Sequence, residues 1–237
     1  MLGSQGQTTQ SSGGELISGK RKIGKTVEVL GDSLWYVFQD TKNHLWFGSD
    51  GEGVFYYDGI QITQFTKQDG LCSNRIRQIL EDESGNIYFS TLEGINKYDG
   101  NIISKLMPVE SHEWKLQKGD LWFYMIGKSD EYGPYRYDGK KLHHLRLPKH
   151  KPHDDLYSEG INSFFSPYEV YCIYRDRSGA MWFGTSVFGA CRYDGHSLQW
   201  IYEKDLSIAP NGGTFGIRSI LSLGFMAETV SRHFGPR

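Results

Sequence analysis

The feature that most constrains the fold of this chain is a motif that occurs four times along its 237 residues. The clearest copy is DRSGAMWFGTSVFGACRYDG at residues 176–195, and related copies lie at 40–59, 82–100 and 119–139. Each copy has an aromatic residue in an apolar run, a loop that contains glycine, and the closing triplet Tyr-Asp-Gly. Self-similarity with a period of about 40 residues is typical of repeat architectures. The sequence therefore predicts a protein built from one repeated unit.

The composition argues against several classes of protein. A net charge of −2 gives no global electrostatic attraction to nucleic acid or to a membrane surface. The chain has no apolar run of about 18 residues, so we expect no membrane span. Residues 1–14 have neither a basic start nor an apolar stretch and therefore show no signal peptide. Their Ser, Gln and Gly content predicts a disordered leader.

The three cysteines, Cys72, Cys172 and Cys191, predict neither a disulfide framework nor a zinc site. Their number is odd, and no two of them have Cys-x-x-Cys spacing. We expect free, partly buried thiols.

Residues 19–26, GKRKIGKT, match the phosphate-loop pattern GxxxxGK[ST]. A phosphate loop follows a buried strand and opens a helix, whose N–H groups then face the phosphates. Here the preceding segment ELIS is short, and Thr26–Leu30 alternates like a strand. We therefore expect a solvated basic stretch at this position, with no bound nucleotide or other cofactor.

Each unit is predicted to contain four short β-strands. In the first unit the strands are Trp35–Gln39, Leu45–Gly48, Val54–Tyr57 and Ile62–Thr66. An Asp-Gly pair precedes the last strand, and Asp-Gly between alternating strands is the strongest short-range hairpin signal. It predicts a type I′ turn, in which both central residues have positive φ.

The second strand of the unit is apolar on both faces. Leu45 and Phe47 point to one face, and Trp46 points to the other. Such a strand must be covered on both faces, and four-stranded sheets packed face to face around an axis give this cover. The predicted fold is all-β: a partial β-propeller of about four four-stranded blades, with a stray strand at each end.

The repeat pattern also predicts the divisions of the chain. Val27–Leu30 resembles the outer strand of a preceding blade, and Thr214–Leu221 resembles the first strand of a fifth. The residues after Leu221 keep none of the repeat motifs, so we expect a truncated propeller with open sheet edges that can self-associate. The expected divisions are a disordered leader at 1–24, a partial propeller at 25–221 with blades at about 34–66, 74–106, 112–147 and 168–203, an insertion loop at 148–167, and an aberrant tail at 222–237.

The unit Asp-x-x-Gly-x-[Leu/Ile/Met]-Trp-Phe-Gly-Thr, closed by Tyr-Asp-Gly, resembles the two-component regulator propeller repeat over about residues 34–203. The second unit has Tyr88 and Ser90 where Trp and Gly are usual, and the third lacks the Asp-x-x-Gly turn, so we expect irregular blades there. The positions that carry the repeat signature are Trp46, Gly48, Tyr57, Asp58, Gly59, Tyr98, Asp99, Gly100, Trp122, Tyr137, Asp138, Gly139, Trp182, Gly184, Tyr193, Asp194 and Gly195.

The resemblance implies a sensor domain outside the cytoplasm, periplasmic or extracellular, of the kind found in hybrid histidine kinases of Bacteroidetes-type bacteria. It implies a small molecule or an oligosaccharide as ligand, and a signalling protein as partner. The sequence contains no kinase, receiver or helix-turn-helix segment, so we expect any signalling output to lie elsewhere.

The two ends of the predicted blades differ in sequence. The turns at one end are short and repetitive, whereas the second-to-third-strand loops and the inter-blade connections vary in length and composition. Variable loops on a rigid scaffold are the usual location of binding sites. We therefore expect a ligand at the variable end, bound by Asp50, Glu52, Glu93, Lys128, Asp130, Tyr132 and Phe188.

A cluster of histidines and aspartates invites comparison with a metal site. His143 and His144 are neighbours on a predicted strand, so they point to opposite faces and cannot share an ion. The others, His150, His153, Asp154 and Asp155, lie in the insertion loop without helical spacing. We predict no metal.

Two alternatives to ligand sensing remain open. Some propellers are lyases that use a histidine and a carboxylate near the axis, and His112 or His150 with Glu52 or Glu93 could supply such a pair. No spacing in the sequence specifies that pair. The other alternative is a scaffold that binds proteins through its face or its open edges. The sequence favours a non-catalytic sensor module.

Overall fold

The computed structural model describes residues 16–17, 20–21, 23–126, 133–148, 168–186 and 189–201. In this part of the chain there are nineteen β-strands and one short 3-10 helix, Lys67–Asp69, and no α-helix. Most of the strands belong to four sheets of four or five strands, which we call blades 1 to 4 in chain order. The fold is all-β and is a partial β-propeller, which confirms the predicted fold class.

Blades 1, 2 and 4 each contain four consecutive strands, and each strand is antiparallel to the next. Blade 1 consists of β4 (Leu34–Gln39), β5 (Leu45–Ser49), β6 (Val54–Tyr57) and β7 (Ile62–Phe65). Blade 2 consists of β8 (Ile76–Glu81), β9 (Ile87–Thr91), β10 (Ile95–Tyr98) and β11 (Ile103–Leu106). Blade 4 consists of β16 (Val170–Arg175), β17 (Met181–Thr185), β18 (Ala190–Tyr193) and β19 (Leu198–Ile201).

Blade 3 departs from the expected order of strands. It has three consecutive antiparallel strands, β13 (Leu121–Phe123), β14 (Tyr135–Tyr137) and β15 (Leu142–Leu145). Its fourth strand, β12 (Pro108–Ser111), comes before them in the chain and lies parallel to the outer strand β15. The prediction of four consecutive strands is therefore wrong for this unit.

The missing Asp-x-x-Gly turn explains this difference. Residues 112–120 form no strand and instead run over the apolar cluster between blades 3 and 4. There the Trp114 ring lies edge-on to Tyr193, with their centroids 5.1 Å apart, and Leu116 packs against the same cluster. Blade 3 therefore has no inner-strand hairpin, and its segment 112–120 is held instead by the packing of Trp114 and Leu116.

The N-terminal strands also differ from expectation. β1 (Leu16–Ile17) and β2 (Lys20–Arg21) form a two-stranded hairpin. β3 (Lys25–Val27) pairs antiparallel with β7, so it extends blade 1 outward and is not the outer strand of a preceding blade. Because a strand begins at Lys25, the segment that matches the phosphate-loop pattern lacks the helix that such a loop requires.

The Tyr-Asp-Gly triplet closes the outer hairpin of every blade by the same contacts. The tyrosine hydroxyl donates to the glycine carbonyl oxygen, at 2.9 Å in Tyr57 and 3.0 Å in Tyr193. The aspartate Oδ1 accepts the backbone N–H groups two and three residues later. Among the described residues Asn43 is the one non-glycine with positive φ, so the predicted type I′ turn is wrong: Gly59 has φ 95° and Asp58 does not have positive φ.

A second hairpin, between the first two strands of a blade, is held by an aspartate. Asp40 Oδ2 accepts the indole N–H of Trp46 at 2.9 Å, and Asp176 does the same for Trp182 at 2.8 Å. In blade 2 the Tyr88 hydroxyl donates to Asp82 at 2.8 Å, so tyrosine replaces tryptophan as the donor. The signature residues therefore stabilise the hairpins of the blades.

The blades pack face to face, and the core lies between them. We call the face that points to the preceding blade the leading face and the opposite one the trailing face. Trp46, Val54 and Phe65 on the trailing face of blade 1 bury Ile79 and Phe89 on the leading face of blade 2. Two further clusters lie between blades 2 and 3 and between blades 3 and 4.

The three cysteines are free, as the sequence predicted. Cys191 is buried in the cluster between blades 3 and 4, and burial raises the pKa of its thiol to about 12. The leader before residue 16, most of the insertion loop 148–167, Thr214–Leu221 and the tail 222–237 lie outside the described residues. The domain boundaries that involve them remain predictions.

Candidate functional site

The second-to-third-strand loops of blades 1 and 2 lie at the same end of the sheets, because each follows the second strand of its blade. Asp50 and Glu52 lie in the β5–β6 loop, and Glu93 occupies the β9–β10 loop. Three other predicted ligand residues, Lys128, Asp130 and Tyr132, lie outside the described residues, as does Phe188. We call this end of the blades the variable end.

Of the predicted site residues that the structure describes, Asp50 is the one bonded to the neighbouring blade by both its side chain and its backbone. Its Oδ1 lies 3.1 Å from Arg77 Nη2 and 3.3 Å from Arg75 Nε. The backbone of Asp50 also bridges to Arg75, and Gly51 N–H donates to the carbonyl oxygen of Asn74. These bonds fix the loop of blade 1 against the start of blade 2.

Arg77 lies at a β-bulge that recurs at the same position in three blades. The register of the first two strands shifts between Leu34 and Tyr36 in blade 1, between Ile76 and Gln78 in blade 2, and between Val170 and Cys172 in blade 4. The extra residues are Trp35, Arg77 and Tyr171, each five positions before the hairpin aspartate. Bulges redirect side chains and are frequent beside functional sites.

Two of the bulge residues meet across the boundary between blades 1 and 2. The Arg77 guanidinium carbon lies 5.5 Å from the centre of the Trp35 ring, a cation–π distance. The Trp35 side chain is 70% exposed, although large aromatic side chains are usually well buried. We call Trp35, Asp50, Arg75 and Arg77 the bulge cluster.

The charges of the bulge cluster do not cancel. Two guanidinium groups face one carboxylate, which leaves a formal charge of +1 beside the exposed indole. Arg77 and Asp50 are largely buried, with side chains 16% and 22% exposed, whereas the Arg75 side chain is 54% exposed. Arg75 therefore has N–H groups that are accessible to a ligand.

Tyr124 supports Arg77 from the next blade. Its hydroxyl donates to the Arg77 carbonyl oxygen at 3.0 Å, and its own carbonyl oxygen accepts the Ser90 hydroxyl. Burial raises the pKa of Tyr124 to about 12, and Tyr36 and Cys172 add to the rise. Groups from blades 1, 2 and 4 thus lie close enough to act on the Tyr124 hydroxyl.

The two predicted glutamates have different surroundings from Asp50. Glu93 forms an exposed ion pair with Lys67, with 3.0 Å between Oε2 and Nζ. Glu52 donates its backbone N–H to the Ser49 hydroxyl at 2.8 Å, and its carbonyl oxygen accepts a bond from Gln64. Neither carboxylate belongs to the bulge cluster.

The histidines of blade 3 have structural partners. His143 Nε2 lies 2.8 Å from Asp138 Oδ2, and His144 Nδ1 lies 2.6 Å from Glu110 Oε1. The two rings therefore point to opposite faces of the sheet. In the part of the chain that the structure covers, no three His, Cys, Asp or Glu side chains come together.

The candidate catalytic pairs are not assembled among the described residues. In this part of the chain His112 is exposed and forms no hydrogen bond, and Glu93 forms an ion pair with Lys67. His150 lies outside the described residues.

Sequence reasoning missed Trp35, Arg75 and Arg77. An alignment of the four units would have shown unlike residues at the position five before the hairpin aspartate, Trp35 in one unit and Arg77 in the next. That variation within a repeat was the available signal. The bulge that turns these side chains toward each other depends on pairing across strands, which the periodicity does not reveal.

The family model described as two component regulator propeller matches residues 70–93 and 165–187. These segments cover the start of blade 2 and the start of blade 4. No curated protein sequence matches the chain at a significant level. Among the described residues, no helix has the length and apolar character needed to cross a membrane.

Solved structures with a similar fold include an extracellular domain of a two component system and a lyase. The extracellular domain of a protein described as a hybrid two component system of B. thetaiotaomicron is 19% identical, with a TM-score of 0.50, over 74% of this chain and 24% of that one. The extracellular domain of a protein described as a one component system of the same species is 21% identical, with a TM-score of 0.46, over 75% of this chain and 23% of that one. Virginiamycin B lyase from Staphylococcus aureus is 13% identical, with a TM-score of 0.53, over 76% of this chain and 58% of that one. The chain thus spans about a quarter of the two regulator structures, and the likeness shows the fold alone.

Proposed function

We propose that the chain is a non-catalytic sensor module of the two component regulator propeller family, and that it binds a small molecule or an oligosaccharide outside the cytoplasm. The family match supports the sensor role. The extracellular domain of the hybrid two component system, which has a similar fold, supports the location. A signalling protein would receive the output.

The bulge cluster is the observation that carries the ligand-binding proposal. It offers a flat exposed indole at Trp35, accessible N–H donors at Arg75, and an acceptor at Asp50. A ring with an apolar face and polar edges can stack on the indole while its edges bond to the charged groups. We propose as further ligand residues the other loop residues predicted from the sequence: Glu52, Glu93, Lys128, Asp130, Tyr132 and Phe188.

Preorganisation supports the same assignment. Arg77 is fixed from three sides: its Nη1 donates to the Ile76 carbonyl oxygen, its Nη2 pairs with Asp50, and its own carbonyl oxygen accepts the Tyr124 hydroxyl. A side chain held in this way loses little conformational freedom when a ligand binds.

The alternative to a small ligand is a scaffold that binds another protein. The exposed apolar side chain of Val37 on the inner half of blade 1, which is 62% exposed, favours this alternative. A lyase activity has no comparable support, because the likeness to virginiamycin B lyase is one of fold.

A thermal-stability screen of the 237-residue chain with neutral and acidic oligosaccharides tests the proposal. A ligand at a hundredfold excess over Kd adds about 2.7 kcal/mol to the free energy of unfolding. For a chain of this size that corresponds to a Tm increase of roughly 5–10 °C. The increase should disappear in Trp35→Ala and persist in Lys140→Ala, a control in the exposed Tyr-Asp-Gly turn of blade 3 at the opposite end of the blades. A Tm that responds to no oligosaccharide, together with co-purification of a protein partner, would favour the scaffold.

A further inference from the structure

One apolar position on the leading face is covered in three blades and not in the fourth. Phe89, Phe123 and Phe183 occupy this position in blades 2, 3 and 4, and each is fully buried against the preceding blade. Phe47 occupies it in blade 1 and is only partly buried. The neighbouring strand shows the same contrast, since Val37 is 62% exposed while its counterpart Ile79 is 0% exposed.

The trailing face of blade 4 shows the complementary contrast. Trp46, Tyr88 and Trp122 are buried on the trailing faces of blades 1, 2 and 3 by the blade that follows. Trp182 holds the equivalent position in blade 4 and is only partly buried, as is Tyr174 opposite it on β16. The described inter-blade clusters include neither Val37 and Phe47 nor Tyr174 and Trp182. Phe55, further out on the leading face of blade 1, is buried, so the open part of that face is its inner half around Val37 and Phe47.

The two open faces carry the same kinds of residues as the two sides of each inter-blade interface in this chain. All three inter-blade clusters join a trailing face that carries the large aromatic residue to a leading face that carries the phenylalanine. Blade 4 presents the first of these faces and blade 1 presents the second. Burying such apolar faces is favourable by about 25 cal/mol for each Å² removed from water.

We propose that the open leading face of blade 1 docks on the trailing face of blade 4 in a second copy of this chain. The new junction repeats an interface that the chain forms three times within itself. Within one chain the two faces do not cover each other, because Val37 is exposed and Trp182 is only partly buried. Two copies offer two such junctions.

Two junctions close a ring of eight blades. Propellers close with roughly four to eight blades, so two chains of four blades fall within that range. Head-to-tail contacts give closed rings when the rotation closes and filaments when it does not. The proposal is the closed dimer, twice the 27.1 kDa mass of the chain. It is independent of the ligand assigned to the bulge cluster.

Light scattering with size-exclusion chromatography on the 237-residue chain and three variants tests this proposal. Val37→Lys disables the leading face of blade 1, and Tyr174→Lys disables the trailing face of blade 4. Ile102→Lys is the matched control, since Ile102 is 57% exposed in a turn of blade 2. Circular dichroism of each variant reports whether the blades are folded.

The proposal predicts dimers for the wild type and Ile102→Lys, and folded monomers for Val37→Lys and Tyr174→Lys separately. An equimolar mixture of those two variants retains one intact junction, so it should form a heterodimer that neither variant forms alone. A monomeric wild type, as expected if another part of the chain covers these faces, would overturn the proposal. So would an open ladder of oligomers, or a mixture that stays monomeric.

Discussion

Asp40, Asp82 and Asp176 hold the first hairpins of blades 1, 2 and 4 by bonding an aromatic side chain six residues later. Burial disfavours the charged form of Asp40, but hydrogen bonds from Trp46 and His44 outweigh it and lower the pKa of the carboxyl. In blade 2 the hydroxyl of Tyr88 preserves the bond to Asp82. The residue that the bond requires is therefore an aromatic donor, which explains how the repeat tolerates tyrosine.

Blade 3 is the natural control for this bond. Trp122 occupies the same position as Trp46, but Leu116 lies six residues before it where the other blades have aspartate. Within the described residues, the buried Trp122 Nε1 has no hydrogen-bond partner. The two tryptophans are 2% and 4% exposed, so they differ mainly in the bond.

We therefore expect Trp46→Phe to destabilise the protein more than Trp122→Phe. Both variants lose similar buried area, but only the first loses a hydrogen bond to a charged group, which contributes about 1.5–3 kcal/mol. Urea unfolding of both variants measures the difference in the free energy of unfolding. Equal losses would show that the Asp40 bond contributes nothing beyond packing.

At the scale of the element, the outer hairpins share one set of contacts. Asp58, Asp99, Asp138 and Asp194 each accept two backbone N–H groups of the turn. At Asp194 the N–H groups of Ser197 and His196 are the main cause of a pKa lowered to about 2. The turn therefore favours the ionised carboxylate.

This lowered pKa predicts a dependence of stability on pH. An unfolded chain binds the proton at about pH 3.9, so the carboxylate stabilises the fold above that pH and loses this effect as the pH falls toward 2. We expect wild type to be more stable than Asp194→Asn at neutral pH, with the difference shrinking between about pH 4 and pH 2. Urea midpoints of both proteins over this range give the test, and a difference that does not change with pH would contradict the assignment.

How far the elements could be predicted depends on the range of their contacts. The hairpins of blades 1, 2 and 4 follow from local alternation and from the Tyr-Asp-Gly triplets, so the sequence predicted them and the fold class. The parallel strand β12 and the attachment of β3 to β7 depend on contacts between distant segments. The bulge cluster is of the same kind, since Trp35 and Arg77 come from different blades. Of the predicted site residues, Asp50 joins that cluster and Glu93 does not.

At the scale of the whole molecule, the two ends of the blades differ in role: one end stabilises the fold, and the other carries the proposed binding site. The turns that contain Gly59, Gly100, Gly139 and Gly195 are held by repeated internal bonds and leave few groups for a ligand. The variable end carries the bulge cluster, whose charged groups and exposed indole differ from blade to blade. Repetition at one end thus gives a rigid support for variation at the other.

Hydrogen–deuterium exchange on the 237-residue chain, with and without the screened oligosaccharide that stabilises it most, tests the central claim most directly. We predict slower exchange in the loops 49–53 and 91–94 and at the bulges near Trp35 and Arg77, with no change in the Tyr-Asp-Gly turns. Protection confined to those turns, or no protection by any oligosaccharide in the panel, would contradict a ligand site at the variable end.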